Sequence, residues 1–249
     1  DLPGQSTKQY ATDAREERDA AVKAMLHEHD NCPSCQKTPL VGVGDVCRNQ
    51  IYRQHRTNHR TYPLGWLCTL SYDRKYIAFL NGYLLQVYTV DESAERPDRL
   101  VLERRDVHQD SSYVEFSQNG RLLTYATADG GICLIDLREN RVLWTAKAAV
   151  PVSGRPTRTT CLEFSHDQRY LVQQSDAVIH VWDVVKGEVV FSPFEPWRVD
   201  VKYVSFHPQD SSRIRLQDVG SPDGVGGIWS VTEGKLLQSL GSLDAWLSE

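Results

Sequence analysis

An all-β fold made of repeated four-stranded antiparallel sheets is predicted by three observations. Asp129, Asp176 and Asp223 are spaced 47 positions apart. Each is followed six positions later by a bulky apolar residue: Ile135, Trp182 or Trp229. The residues around each Asp fall into the same succession of short apolar-polar runs and polar turns. An interval that recurs with a fixed internal offset marks a structural repeat.

The elements of one unit follow in order. The first runs, 113–117, 160–165 and 202–207, alternate apolar and polar residues, the period of a half-buried strand. They end in polar turns at 118–120, 166–168 and 208–210. Second runs occupy 122–126, 170–173 and 213–216, and third runs, 132–135, 178–182 and 227–229, carry the large apolar residue. Fourth runs at 142–144, 189–191 and 236–240 follow the turn pairs 139–140, 186–187 and 233–234. An earlier unit has lost its marker. Its runs are 67–70, 76–80, 84–88 and 100–102; Tyr88 lies 47 before Ile135, and Gly82 stands where Asp would be. Residues 64–240 are thus expected to form four consecutive sheets. A period in the forties is that of one blade of a β-propeller. The ring is either closed as four, completed by residues 36–63 as a degenerate blade, or completed by a missing segment or a partner. Val114, Leu162 and Val204 are expected on equivalent inner strands. Trp182 and Trp229 are both expected to be buried between adjacent blades, with Phe116, Phe164 and Phe206 in the same layers.

Residues 175–183 carry a resemblance to the WD-repeat β-propeller family, with the Trp182-Asp183 dipeptide intact. Ile135-Asp136 and Trp229-Ser230 each keep one half of it, and Tyr88-Thr89 keeps neither. The family joins a His, a Ser or Thr, the turn Asp and the Trp in one hydrogen-bond network. The second unit offers His108, Thr127 and Asp129 without the Trp; the fourth offers Ser221, Asp223 and Trp229 without the His. The resemblance spans residues 64–240 and implies a rigid disc that binds several proteins within a multisubunit assembly. It implies no chemistry, because function belongs to sites grafted on folds. Asp129, Asp176 and Asp223 are spread one per blade, so turn-stabilising hydrogen bonds account for them better than paired catalytic carboxylates do.

The chain of 249 residues, 40% hydrophobic, is long enough to bury a substantial core. With 28 basic and 33 acidic side chains, its net charge of −5 offers no global reason to expect nucleic acid or membrane. No apolar stretch reaches the roughly 18 residues a spanning helix needs. The first residues lack the apolar run of a signal peptide. The absence of an initiating Met is consistent with a processed form, with an export or organelle signal removed, or with part of a longer protein. Of the six cysteines, Cys68, Cys133 and Cys161 fall within predicted strands as small hydrophobes, and the others cluster near the N-terminus. That asymmetry favours a reducing compartment, cytoplasmic or nuclear, over a disulfide-stapled secreted scaffold.

Residues 1–63 form an extension ahead of the repeats, and 241–249 a C-terminal tail. Residues 10–30 favour a helix, dense in Ala, Glu, Arg and Lys without Gly or Pro. Asp13 with Glu16 forms a variant capping box. The apolar face is thin: Ala14, Ala21, Val22, Met25 and Leu26. Such a helix needs to dock on the propeller edge or on another subunit. Beyond it lie Cys32, Cys35, Cys47, His55 and His59. A two-residue gap between thiolates lets both reach one tetrahedral ion. The expectation is structural zinc on Cys32, Cys35, Cys47 and His55, with His59 as substitute for His55. The alternatives are free thiols with surface histidines, or a Cys32–Cys35 disulfide or redox pair. Arg48, Arg53, Arg56 and Arg60, interleaved with Tyr52 and Tyr62, suit phosphates and stacked bases, or a solvated loop.

Nothing in the sequence argues for an enzyme. No Gly-x-Ser-x-Gly elbow is present, and the Gly clusters at 42–44 and 224–227 form neither a Walker loop nor a dinucleotide fingerprint. His180, within a strand beside Trp182, is expected to be a packed or rim residue. The expected function is a non-catalytic protein–protein interaction scaffold; the rival is a nucleic-acid-binding accessory protein using residues 32–62.

Overall fold

The computed structural model describes residues 16, 18–23, 67–81, 83–91, 93–107, 113–147, 159–175, 178–192, 201–207, 209–218 and 226–240. Sixteen strands form four four-stranded antiparallel sheets, each in simple sequence order. The first sheet comprises β1 (Leu67–Leu70), β2 (Tyr76–Asn81), β3 (Leu84–Asp91) and β4 (Arg96–Arg104). The second comprises β5 (Val114–Phe116), β6 (Leu122–Ala126), β7 (Ile132–Asp136) and β8 (Arg141–Ala146). The third comprises β9 (Thr159–Phe164), β10 (Tyr170–Ser175), β11 (Val178–Asp183) and β12 (Glu188–Phe191). The fourth comprises β13 (Val201–Phe206), β14 (Arg213–Asp218), β15 (Gly226–Ser230) and β16 (Lys235–Leu240). The first strands β1, β5, β9 and β13 approach one another in succession. They are therefore the inner strands, and β4, β8, β12 and β16 form the rim. Val114, Leu162 and Val204 sit on equivalent inner strands, each two residues before the Phe that ends its strand, although the intervals between them depart from 47.

Successive side chains on a strand point to opposite sides, so the second and third sheets can each pack on a neighbour through both faces. Ala78, Leu85 and Val87 of the first sheet meet Phe116, Leu123 and Ile135 of the second. Ile132 and Leu134 on the second sheet's other face meet Phe164, Leu171 and Trp182 of the third. Val172 and Val181 of the third meet Phe206 and Ile214 of the fourth. Full burial of one such side chain stabilises by about 1.5–3 kcal/mol. Trp182 is 8% exposed and lies in its expected place, whereas Trp229 is partly buried against the third sheet.

Strand pairing places one residue from each of three strands at the same point of every sheet. Phe116–Leu123–Ile135, Phe164–Leu171–Trp182 and Phe206–Ile214–Trp229 are equivalent triplets, each facing the preceding sheet. Leu70–Ile77–Tyr88 is the triplet of the first sheet. The ladder between third and fourth strands shifts register beside the last member of each triplet. Such bulges increase local twist.

Turns repeat as faithfully as strands. Ser71, Ser117 and Ser165 close the first turn: each hydroxyl donates to Asp73, Asn119 or Asp167 at 2.8–2.9 Å. Each also accepts the N–H that opens the second strand, at 2.8–2.9 Å. In the fourth sheet His207 Nδ1 accepts the N–H groups of Gln209 and Asp210 instead. At the turn between third and fourth strands, Asp136, Asp183 and Ser230 accept backbone N–H groups two to three residues ahead. Four residues after each capping residue the chain enters positive φ, at Asn140 (48°), Gly187 (69°) and Gly234 (65°). A side chain at Gly187 would also strike the Trp144 ring, with its Cβ 2.8 Å away.

Candidate interaction surfaces

Among the described residues no fifth strand covers the rim strands. Val142 and Leu143 are 38% and 36% exposed, Val189 and Val190 43% and 42%, and Leu236 and Leu237 45% and 49%. These pairs stand 47 positions apart, at one register in three successive sheets. Each pair sits where the rim strand shifts register, two residues opposite one on the third strand, so each bulge carries two adjacent exposed apolar side chains. Single exposed apolar residues are ordinary; an apolar pair repeated at each blade forms a periodic band, the kind of surface that contacts other proteins.

Side chains also tie sheet to sheet. Glu163 on β9 accepts the backbone N–H of Phe206 on β13 at 3.0 Å. Gln173 reaches Gly130 O in the second sheet at 3.4 Å and Thr159 Oγ1 at 3.2 Å. Trp144 donates its indole N–H to Val184 O at 2.8 Å. Between the first and second sheets Tyr125 donates to Asp106 at 3.0 Å. Burial, with Cys133 and the Asp106 carboxylate nearby, raises the Tyr125 phenol far above its usual range. Burial also pushes up the Cys133 thiol, so this cysteine is a buried thiol and not a thiolate.

The first sheet's leading face differs. No preceding sheet lies on it among the described residues. Helical residues 18–23 (α1) lie there instead, with Ala21 and Val22 packed on Ile77 and Phe79. The Arg18 guanidinium stands 5.2 Å from the centre of the Tyr88 ring and donates to the Tyr88 hydroxyl at 3.1 Å. Lys23 pairs with Glu95 at 3.3 Å. The helix expected over residues 10–30 is thus helical at 16 and 18–23, and its Val22 docks on the propeller; Met25 and Leu26 lie outside the described residues.

Of the turn aspartates, Asp129 accepts the Thr127 hydroxyl at 2.5 Å and the Gly131 N–H at 3.2 Å. The Thr127 hydrogen bond, chiefly, holds its carboxyl below the usual range. Asp176 and Asp223 lie outside the described residues. So do Cys32, Cys35, Cys47, His55, His59, Arg48, Arg53, Arg56 and Arg60. Among the described residues no group of three or more His, Cys, Asp and Glu is placed to hold a metal ion. His180 packs 5.7 Å from Trp182, and burial lowers its pKa, keeping the ring neutral. Among the described residues no helix is long and apolar enough to cross a membrane.

Sequence reasoning missed the buried carboxylate of Asp136, which pairs with Arg121 at 2.7 Å. Burial works against its charge, but Arg121 and the N–H groups of Glu139 and Arg138 outweigh burial and lower the pKa. It also missed Asp91, which caps the first sheet's turn by accepting the N–H groups of Ser93 and Ala94. Its signal is visible in hindsight: Asp91 precedes the positive-φ Glu95 by four residues, as Asp136 precedes Asn140.

The fold and its surfaces define a β-propeller array of four-stranded blades. No family model and no curated protein matches the chain. Among solved structures, it is similar to a chain in the crystal structure of the Mitotic Checkpoint Complex, with a TM-score of 0.54 and 18% identity. The match covers 70% of this chain and 50% of that one, so the chain spans about half the length of the protein it resembles. At that identity the likeness shows the fold.

Proposed function

We propose that this chain is a non-catalytic protein–protein interaction scaffold, divergently related to the WD-repeat propellers, and that it works as a subunit of a multiprotein complex. The apolar pairs 142–143, 189–190 and 236–237 carry this reading. They recur at one register on the outermost strands, and blades packed face to face hold them rigidly, so a partner meets a preformed surface. The chain of the checkpoint-complex structure is itself part of a protein assembly, which supports the reading by analogy of fold.

The test compares wild-type protein with a Val142→Lys, Val189→Lys, Leu236→Lys variant in affinity purification from native extract. Proteins recovered at defined stoichiometry with the wild type should be lost from the variant. Equal recovery by both, or recovery of RNA with a steep salt dependence in place of protein, overturns the scaffold reading. The RNA outcome would favour a nucleic-acid role for Arg48, Arg53, Arg56 and Arg60.

A further inference from the structure

The fourth sheet presents a trailing face unlike the other three. Strand pairing sets one residue from each strand side by side on such a face. The second strands contribute Ala78, Thr124 and Val172 in the first three sheets, and Arg215 in the fourth. The rim strands contribute Leu102, Trp144 and Phe191, which pack on the following sheet, and then Gln238. Ile228, between Arg215 and Gln238, keeps the apolar character of the row. It is 3% exposed, yet none of the four clusters of packed apolar side chains includes it.

That chemistry narrows what can cover the face. An apolar triplet such as Phe164–Leu171–Trp182 would press the Arg215 guanidinium into a dry contact with no counter-charge, which is costly. Burial already lowers the Arg215 pKa. Arg213, two residues earlier on the same face, pairs with Asp210 at 3.0 Å. A fitting cover brings a carboxylate for Arg215 beside apolar side chains for Ile228.

Residues 241–249, which follow β16 directly, have that composition. Leu243, Trp246 and Leu247 fall at i, i+3 and i+4, one face of a helix, and Asp244 and Glu249 flank them. β16 ends at Leu240, opposite Gly226 on β15, so the segment starts at the edge of the sheet it would cross. A helix of this length reaches about 13 Å, and three strand spacings span about 14 Å. The first sheet shows the same solution at the other end of the array, where α1 lays Ala21 and Val22 on Ile77 and Phe79.

We propose that residues 241–249 dock in cis on the trailing face of the fourth sheet, with Leu243, Trp246 and Leu247 on Ile228 and a carboxylate of Asp244 or Glu249 on Arg215. The assignment is independent of the rim and of its partners.

The test uses the full chain with a benzophenone amino acid in place of Trp246. Irradiation, digestion and mass spectrometry locate the adducts, which should fall within the same chain on β14 and β15. Reversing the segment's charges with Asp244→Lys and Glu249→Lys should cut their yield at least about fivefold, through loss of a charged hydrogen bond. Adding Arg215→Glu should restore it. Amide protection of β6 and β10 checks that each variant is folded. If Arg215→Glu loses that protection, Arg215→Gln replaces it and should make the yield indifferent to the segment's charges. Adducts to a second copy or to another part of the chain, or a yield unmoved by charge reversal, overturn the proposal.

Discussion

Trp144 and Trp182, on different sheets, stack with ring centres 5.9 Å apart and planes 28° from parallel. The first comes from the rim strand β8 and the second from β11, so the pair joins an exposed strand to a buried one. Trp144 also places its indole N–H on the carbonyl of Val184, in the turn that follows β11. The junction between the second and third blades is thus closed from core to rim by two indoles.

Trp182→Ala should lower stability by about 3–5 kcal/mol, the usual cost of deleting a large buried aromatic. Denaturant midpoints measured with an unchanged slope check this. A midpoint within error of wild type would place the ring outside the core.

Glu163→Leu should cost about 1–3 kcal/mol, because it strands the Phe206 N–H that the carboxylate receives. Glu163→Gln keeps an acceptor and should cost less. Chemical denaturation of the two variants distinguishes a stitch between blades from simple volume: similar losses would argue against the hydrogen bond.

Stability should fall in acid. Asp129, Asp136, Asp167 and Asp210 have carboxyls held below their ordinary range, Asp129 chiefly by Thr127, Asp210 by Ser212, and Asp136 and Asp167 by hydrogen bonds that outweigh burial. A depressed folded-state pKa contributes stability above the unfolded value, about 3.9 for Asp. That contribution is lost as pH falls through the folded value. Melting temperatures measured from pH 7 to 2 should therefore hold steady above about pH 5 and drop steeply below about pH 4. Asp136→Asn should be less stable near neutrality and flatter in acid. Parallel curves for variant and wild type would remove Asp136 from the account.

Sequence spacing predicts zinc on Cys32, Cys35, Cys47 and His55, or with His59 in place of His55. Elemental analysis of chelator-washed, untagged protein should find about one zinc per chain, as a closed four-ligand site retains its ion. Cys35→Ser should reduce it well below that. Wild-type protein that holds no zinc after reconstitution under reducing conditions would exclude the site.

Much of the fold was legible because the repeat is written in local chemistry. Phe116, Phe164 and Phe206, each followed by a turn-forming Ser or His, recur with apolar alternation on both sides, and a strand's burial follows directly from that period. The first blade was harder to read. Tyr88-Thr89 carries neither half of the Trp-Asp pair, because the capping role has moved two residues on, to Asp91, at the end of a longer β3. A fixed 47-residue comparison cannot see a strand lengthened on both arms of its hairpin. The Arg121–Asp136 pair was hidden for another reason: its partners lie 15 positions apart, and only the pairing of β6 with β7 brings them together.

The blade is written in the chain's local pattern: its four strands, its turns and which residues face inward, since periodicity and turn chemistry act over a few residues. The partner that meets each face is settled only by long-range packing. Leu70, Ile77 and Tyr88 carry the same strand pattern whether a sheet or a helix covers them. Apolar burial is non-directional, so the pattern specifies that the face is buried and leaves the partner open. Distant chain segments choose the partner, and among the described residues Arg18, Ala21 and Val22 reach this face.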